Sequence, residues 1–260
     1  MQFLADLPGR FAGFGVAGWS AVAAAPFIGS FLGVVIRRLP DAVGLSWTRS
    51  RCEKCGTRLR PRDLVPLFSW LAARGRCRYC GEPLGWFYPG VELAALAVAV
   101  VSFAVDRGLW GWLDCVLGWW LLALGWIDLR RLVLPDALNL PLIVAGLAAA
   151  LLWSPEDLEA RALGAVLGYL GLAAIALLYR RLRRREGLGG GDPKLFAAAG
   201  AWVGALALPS VLLLAALFAL AAAGAAAAGG GRLRRHSALP FGPPLALAIW
   251  LVYLFGPLSF

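Results

Sequence analysis

The chain predicts an all-α polytopic membrane protein of about eight transmembrane helices, with one small polar loop domain between the first two. Three observations predict it. The 260 residues are 60% hydrophobic and 15% charged with a mean hydropathy of +0.73, whereas soluble domains run at about 45–50% apolar and about 25% charged. Apolar stretches near the ~20 residues needed to cross a bilayer recur at roughly 11–36, 89–105, 109–127, 137–153, 162–179, 195–208, 209–229 and 238–256. The basic residues then fall in every second loop, which together hold 22 of the 25 Lys and Arg. Cytoplasmic loops carry the Lys/Arg excess, so these loops are expected in the cytoplasm and both termini outside. A disordered chain, a disulfide scaffold and an ordinary soluble enzyme are excluded. The net charge of +10 does not imply a nucleic-acid partner, because the charges alternate with spans instead of forming one stripe. Membrane lipids are the expected surroundings.

The first stretch contains Ala21-Val22-Ala23, which resembles a signal-peptide cleavage site. Its apolar run of about 25 residues exceeds a typical signal core of 7–15, and only Arg10 precedes it. It is expected to remain as the first span. The polar segment that follows, Arg37 to Trp86, carries Cys52-Glu53-Lys54-Cys55-Gly56 and Cys77-Arg78-Tyr79-Cys80-Gly81. Two CxxC knuckles at this separation supply Cys52, Cys55, Cys77 and Cys80 as the four thiolates of a tetrahedral Zn²⁺ site. Glycine after each second cysteine permits the tight turn that aims backbone amides at sulfur. A cytoplasmic location disfavours two disulfides. With four protein ligands the zinc is structural, and it lets a segment of this size fold without a large apolar core. Cys115, inside the third stretch, reads as packing.

Catalysis therefore has to come from acids at the membrane. Of the 15 Asp and Glu, Glu156, Asp157 and Glu159 read as solvated loop charge, and Asp106 and Asp114 flank an outer turn. Asp6 is in the N-terminal tail, and Asp41, Glu53, Asp63, Glu82 and Glu186 belong to polar loops. Glu92, Asp128, Asp136 and Asp192 remain, all at the cytoplasmic ends of spans, where an ionisable group is costly and is a functional candidate. Asp128 ends the third stretch; Asp192 follows Gly187-Leu188-Gly189-Gly190-Gly191 and opens the sixth. Alternation places both at one membrane face. Two carboxyls sharing a low-dielectric site cannot both ionise. One keeps a proton and polarises a carbonyl while the other activates water.

Taken singly, Asp128 also suits an ion pair with Arg130 or Arg131, and Asp192 suits a helix cap or a phosphate nest. Asp136, in Leu134-Pro135-Asp136-Ala137, reads mainly as the N-cap of the fourth span. Glu92 lies just inside the second span and needs a partner, either a cationic ligand or a loop arginine. Small residues four apart (Gly29 and Gly33, Gly164 and Gly168, Gly200 and Gly204) are expected to pack helices closely. Only Pro209 and Ser210 divide the apolar run 195–229.

These motifs resemble, in order, those of the type IV prepilin peptidases, a branch of the membrane-embedded GxGD aspartyl proteases. The resemblance runs through Gly29-Ser30-Phe31-Leu32 with Arg38-Leu39-Pro40, the double CxxC loop, Leu67-Phe68-Ser69-Trp70 and Tyr88-Pro89-Gly90-Val91-Glu92. It continues in Ile127-Asp128 with Leu134-Pro135-Asp136, Gly189-Gly190-Gly191-Asp192-Pro193-Lys194-Leu195 and Pro240-Phe241-Gly242-Pro243. It implies an enzyme of the bacterial inner membrane that removes the basic leader from prepilins and pseudopilins at the cytoplasmic face, with Asp128 and Asp192 catalytic. It also implies methylation of the new N-terminus with S-adenosylmethionine. The donor is expected between the zinc loop and the start of the second span, with Glu92 as the candidate contact. The expected organisation is a first span at 1–36, a zinc-binding loop at 37–88 and a protease core of about seven spans at 89–260. Two departures stand out. Gly33 replaces the family's usual Asn, and Pro193 follows Asp192 where an apolar residue is commoner. A transporter or ion relay built on the two aspartates is the alternative reading.

Overall fold

A computed structural model of the chain describes residues 14–39, 50–52, 54–184, 188–229 and 240–258. Arg10, Pro40, Asp41, Glu53, Glu186, Gly187 and the basic residues Arg232, Arg234 and Arg235 lie outside the described residues. Within them the protein is helical: α1 (Gly15–Arg38), α2 (Phe68–Ala72), α3 (Phe87–Val105), α4 (Gly108–Arg131), α5 (Asp136–Trp153), α6 (Leu158–Arg183), α7 (Asp192–Val203), α8 (Leu208–Ala228) and α9 (Gly242–Phe255). Two isolated β-bridges, Arg51 with Arg58 and Arg76 with Pro83, are the only sheet-like pairings among the described residues.

Among the described residues, six helices are long and apolar enough to cross a membrane by length and composition: α1, α3, α4, α5, and α6 and α8 with their leading 3-10 turns. This is a multi-pass membrane protein. At ~1.5 Å per residue, the 12 residues of α7 and the 14 of α9 fall short of a hydrocarbon core about 30 Å thick. The expected stretch 195–208 is cut short for a local reason. Gly204 takes φ +78°, which ends α7 at Val203, and a 3-10 turn at Ala205–Ala207 leads into α8. The break therefore sits at Gly204, and Pro209 occupies the first turn of α8, where its missing N–H is harmless.

The chain divides into two compact units, Met1–Trp119 and Trp120–Phe260, with the boundary inside α4. In the first, α1 packs on α3. A Cβ at Gly29 would lie 2.7 Å from the Glu92 Cα, and one at Gly33 2.8 Å from the Tyr88 ring. A side chain at Gly29 would therefore push α1 off α3, and one at Gly33 would have to displace the Tyr88 ring. Val91, Ala95 and Ala99 are fully buried, and the Trp119 indole donates to the Ala95 carbonyl at 2.9 Å. Lost water contact supplies no attraction between helices in lipid, so close backbone approach and such indole bonds hold them together.

The second unit is built around the short, buried α7, against which α5, α6 and α9 pack. Gly164 and Gly200 meet backbone to backbone, and a Cβ at Gly168 would lie 2.6 Å from the Phe196 carbonyl oxygen. Gly146 leaves room for the Trp202 ring, whose indole donates to the Leu142 carbonyl at 3.0 Å. The small-residue pairs thus pack as expected, except Gly204, which serves the turn.

Candidate functional site

The four knuckle cysteines come together. Their sulfurs all lie within 4.8 Å of one another, with Cys52 and Cys80 3.9 Å apart. Sulfurs held at ~2.3 Å from a tetrahedral zinc would be about 3.8 Å apart, so the cluster fits the metal. Each knuckle closes in the same way. Gly56 N–H donates to the Cys52 carbonyl at 2.9 Å and Gly81 N–H to the Cys77 carbonyl at 2.8 Å, both glycines at positive φ.

The thiols differ electrostatically. The Thr57 hydroxyl and amide pull Cys55 down to about 6. The amides of Tyr79 and Cys80 hold Cys77 below its ordinary value. At Cys80 the Glu82 amide acts downward, but burial and the three neighbouring sulfurs outweigh it and push the thiol up to about 12. Four crowded sulfurs resist full ionisation, and a dication is what makes a tetrathiolate stable.

Next to the knuckles the same unit encloses a cavity of about 830 Å³, lined by Ser30, Arg37, Trp70, Tyr79, Tyr88 and Glu92 among others, with Cys52 and Cys77 in its wall. The Arg37 guanidinium sits 4.8 Å from the Phe87 ring centroid and 4.9 Å from that of Tyr88. Asp63 braces the wall: its carboxylate accepts the Tyr79 hydroxyl at 2.9 Å and the Arg60 amide at 3.1 Å and pairs with Arg78 at 3.3 Å. Burial alone would raise this carboxyl, but these partners outweigh it and hold Asp63 below the usual carboxylate value.

Glu92 is buried, 5% exposed, and lines the cavity. Among the described residues its partners are the Leu67 amide, which donates at 2.8 Å, and the Ser30 side chain. Leu67 is held there at φ +60°, ψ −52°, a conformation costly for a side chain with a Cβ, roughly 1–3 kcal/mol. Glu92 thus ties the loop to α3, a contact 25 residues apart that nothing local announces.

In the second unit, Asp128 and Asp192 are each about 5% exposed and close enough to interact electrostatically. Asp128 stands in the last turn of α4, where its Oδ2 accepts the Gly242 N–H at 2.8 Å. A Cβ at Gly242 would lie 2.7 Å from that oxygen, so only glycine fits beside it. Asp192 is the first residue of α7, after Gly191 as N-cap. Its Oδ2 reaches back to the Gly189 N–H at 2.8 Å. The glycine loop thus aims one amide at the carboxylate it precedes. Each acid keeps a second oxygen for other chemistry.

Several residues have other roles than their sequence context suggests. Asp136 is not a cap: Pro135 occupies that position, and no side-chain bond caps α5. The Lys194 ammonium instead lies 2.6 and 2.7 Å from the two Asp136 oxygens. That pair clips the start of α5 to the start of α7, two residues past Asp192. Leu134 fills the same junction, since a Cβ at Gly191 would lie 2.6 Å from its Cβ. Asn139, fully buried, donates from Nδ2 to the Leu134 carbonyl at 3.3 Å. A polar residue one turn into the fourth apolar stretch was the signal that could have singled it out. Asp114 is no outer-turn residue but is 2% exposed within α4, because that helix already starts at Gly108; it interacts with Asp106. Cys115 is buried, as packing requires.

Comparison with known proteins adds to this geometry. Residues 24–105 match the family described as Bacterial Peptidase A24 N-terminal domain, and residues 115–224 that described as Type IV leader peptidase family. A protein of Aeromonas hydrophila named prepilin leader peptidase/N-methyltransferase is 40% identical over 88% of this chain and 87% of its own. Proteins of the same name from Burkholderia pseudomallei (strain 1026b) and Dichelobacter nodosus are 40% and 38% identical over 88% of this chain and 82% and 88% of theirs. No solved structure matches the chain.

Proposed function

The chain belongs to the Type IV leader peptidase family, and from that premise we propose that it is a prepilin leader peptidase and N-methyltransferase of the bacterial inner membrane. Its substrates are prepilins or pseudopilins, its active site faces the cytoplasm, and Asp128 and Asp192 are its catalytic pair. The observation that supports this most is the burial of these two carboxyls together, each fixed through one oxygen by a glycine amide. With one proton between them, the protonated carboxyl polarises the scissile carbonyl. The ionised one takes a proton from water, whose oxygen adds to the carbonyl carbon. The C–N bond then breaks as the leaving amine takes up a proton. The side-chain-free loop Gly189-Gly190-Gly191 lets an extended peptide approach.

The first unit carries the second activity. S-adenosylmethionine, when bound, supplies a methyl group made electrophilic by its sulfonium. The cavity beside the cysteine knuckles has ample room for such a ligand. Glu92 offers a buried carboxylate to a cation, Trp70 and Tyr79 offer ring faces, and Arg37 offers a counter-charge to a carboxylate. At Gly33, where the family usually has Asn, the Tyr88 ring takes up the space, and Tyr88 is itself a wall of the cavity. The Cys52, Cys55, Cys77 and Cys80 site holds Zn²⁺ structurally and takes no part in the transfer. We propose the division into a first span at 1–36, a zinc loop at 37–88 and a protease core at 89–260, with Glu92 at the start of the last segment reaching back to line the donor cavity.

Incubating the purified protein with a prepilin and S-adenosylmethionine, and weighing the product N-terminus, tests both activities. A shortened pilin carrying one added methyl is expected; an uncleaved pilin overturns the reading. Glu92→Gln separates the two halves. Gln still accepts the Leu67 N–H, so the loop stays anchored, but the charge is gone. Hydrogen bonds to a charged group contribute about 1.5–3 kcal/mol, so donor affinity should fall about 10- to 100-fold with leader cleavage intact. Methylation at the parent rate at low donor concentration would remove Glu92 from the donor site.

A further inference from the structure

The loop between α1 and α3 carries a feature that neither activity uses. Outside every helix long enough to span, Val65, Phe68, Leu71 and Trp86 are 39%, 75%, 64% and 70% exposed. These residues are not scattered. Along the five-residue α2, Ser69 and Trp70, with Ala73 just after it, line the cavity, while Phe68, Leu71 and Ala72 face outward. The two sets occupy opposite faces, as helical spacing requires. One face of α2 is thus committed to the cavity and the other presents bare apolar surface.

The position of that surface relative to the membrane follows from the chain itself. Trp86 immediately precedes the spanning helix α3, so it stands where an apolar span meets headgroups, the level at which Trp is enriched. The Trp70 ring of α2 packs at a 50° tilt against Trp86 with centroids 4.4 Å apart, and its indole donates to the Gly85 carbonyl at 3.0 Å. Glu92, in the second turn of α3, holds the Leu67 amide at the start of α2. These three links fix α2 at the depth of the span's first turn. Charge then selects the occupant. Residues 50–86 contain eight basic side chains and three acidic ones, a balance that favours an anionic surface over a protein face of mixed charge.

We infer that the Phe68 and Leu71 face of α2, held at the depth marked by Trp86, forms an interfacial anchor that inserts among acidic phospholipids and holds the zinc loop and its cavity at headgroup level. Buried to a depth of ~5–10 Å, such a face leaves the flanking arginines among the phosphates. The anchor needs no assumption about which reaction the cavity serves. It does give the cavity a fixed height above the bilayer, the height at which a membrane-anchored substrate presents its chain.

The test uses the full-length protein in nanodiscs of mixed phosphatidylglycerol and phosphatidylcholine. A photo-activated benzophenone amino acid is placed at position 68, at position 71 and, as a control on the first knuckle, at position 54. Intact-mass measurement after irradiation is expected to show phospholipid adducts at 68 and 71 and none at 54. Phosphatidylglycerol should predominate by roughly fivefold, the selectivity conferred by one basic side chain at the surface. Adducts to a second copy or to another part of the chain, equal lipid labelling at 54, or no adduct at either 68 or 71 would each overturn the anchor. Leader cleavage by the same preparations is read separately, so loss of the anchor and loss of the enzymatic reading are distinguishable.

Discussion

Asp192→Asn and Asp128→Asn are each expected to lower leader cleavage by about 10⁴-fold or more, since one group supplies the proton and the other the activated water. Asparagine has nearly the shape of aspartate, and its amide oxygen can still accept the Gly189 or Gly242 N–H. Both variants should therefore insert, fold and bind zinc as the parent does. The double variant should resemble either single one, because the pair acts as a unit. Two carboxyls that share a proton also give a bell-shaped pH–rate profile whose apparent constants belong to the pair. Asp136→Asn is expected to be much milder. It weakens a half-exposed ion pair with Lys194, and such pairs contribute about 0–1 kcal/mol. Single-turnover cleavage of a prepilin measures all three. An Asp192→Asn protein that cleaves near the parent rate ends the aspartyl-protease assignment.

What the sequence disclosed, and what it did not, divides by the range of the interaction. The cysteine cluster was legible because each knuckle is a local turn with its own glycine, and two such turns need only be brought together. Asp128 and Asp192 were legible because hydropathy exposes a charge at the end of an apolar run. Alternation of basic loops predicts both ends at one face, and the two acids lie close enough to interact. The Lys194–Asp136 pair joins residues 58 apart, and the Glu92–Leu67 bond joins residues 25 apart. Neither leaves a pattern in composition or spacing. Asp136 after Pro135 looks like a cap in one dimension. Only the approach of α7, made possible by Gly191 against Leu134, gives it a cation. The break at Gly204 was missed for a related reason: in an apolar run a proline is the more visible punctuation, yet a glycine at positive φ stopped the helix.

Removing the zinc is expected to affect the two activities unequally. The parent protein should carry about one Zn²⁺ per chain, and Cys52→Ser or Cys80→Ser should lower that content sharply. A structural zinc contributes apparent binding energy of about 10–16 kcal/mol to domains of this kind, far more than the knuckle turns and the exposed Lys54–Glu82 pair can replace. Without it the segment carrying the knuckles loses its fold, and protease should cut it readily. Cys52 and Cys77 form part of the cavity wall, and Tyr79 within the second knuckle faces the same space. Methyl transfer should therefore fall below detection in these variants. Asp128 and Asp192 rest on Gly242, Gly189 and the α7 packing, all in the second unit, and none of these contacts involves the knuckles. Leader cleavage should accordingly persist at a measurable rate. Metal analysis beside paired cleavage and methylation assays decides the matter. A Cys52/Cys80 double serine variant that keeps its full zinc would dismiss the tetrathiolate. Methylation that survives zinc loss would dismiss the cavity as the place where the methyl group is transferred.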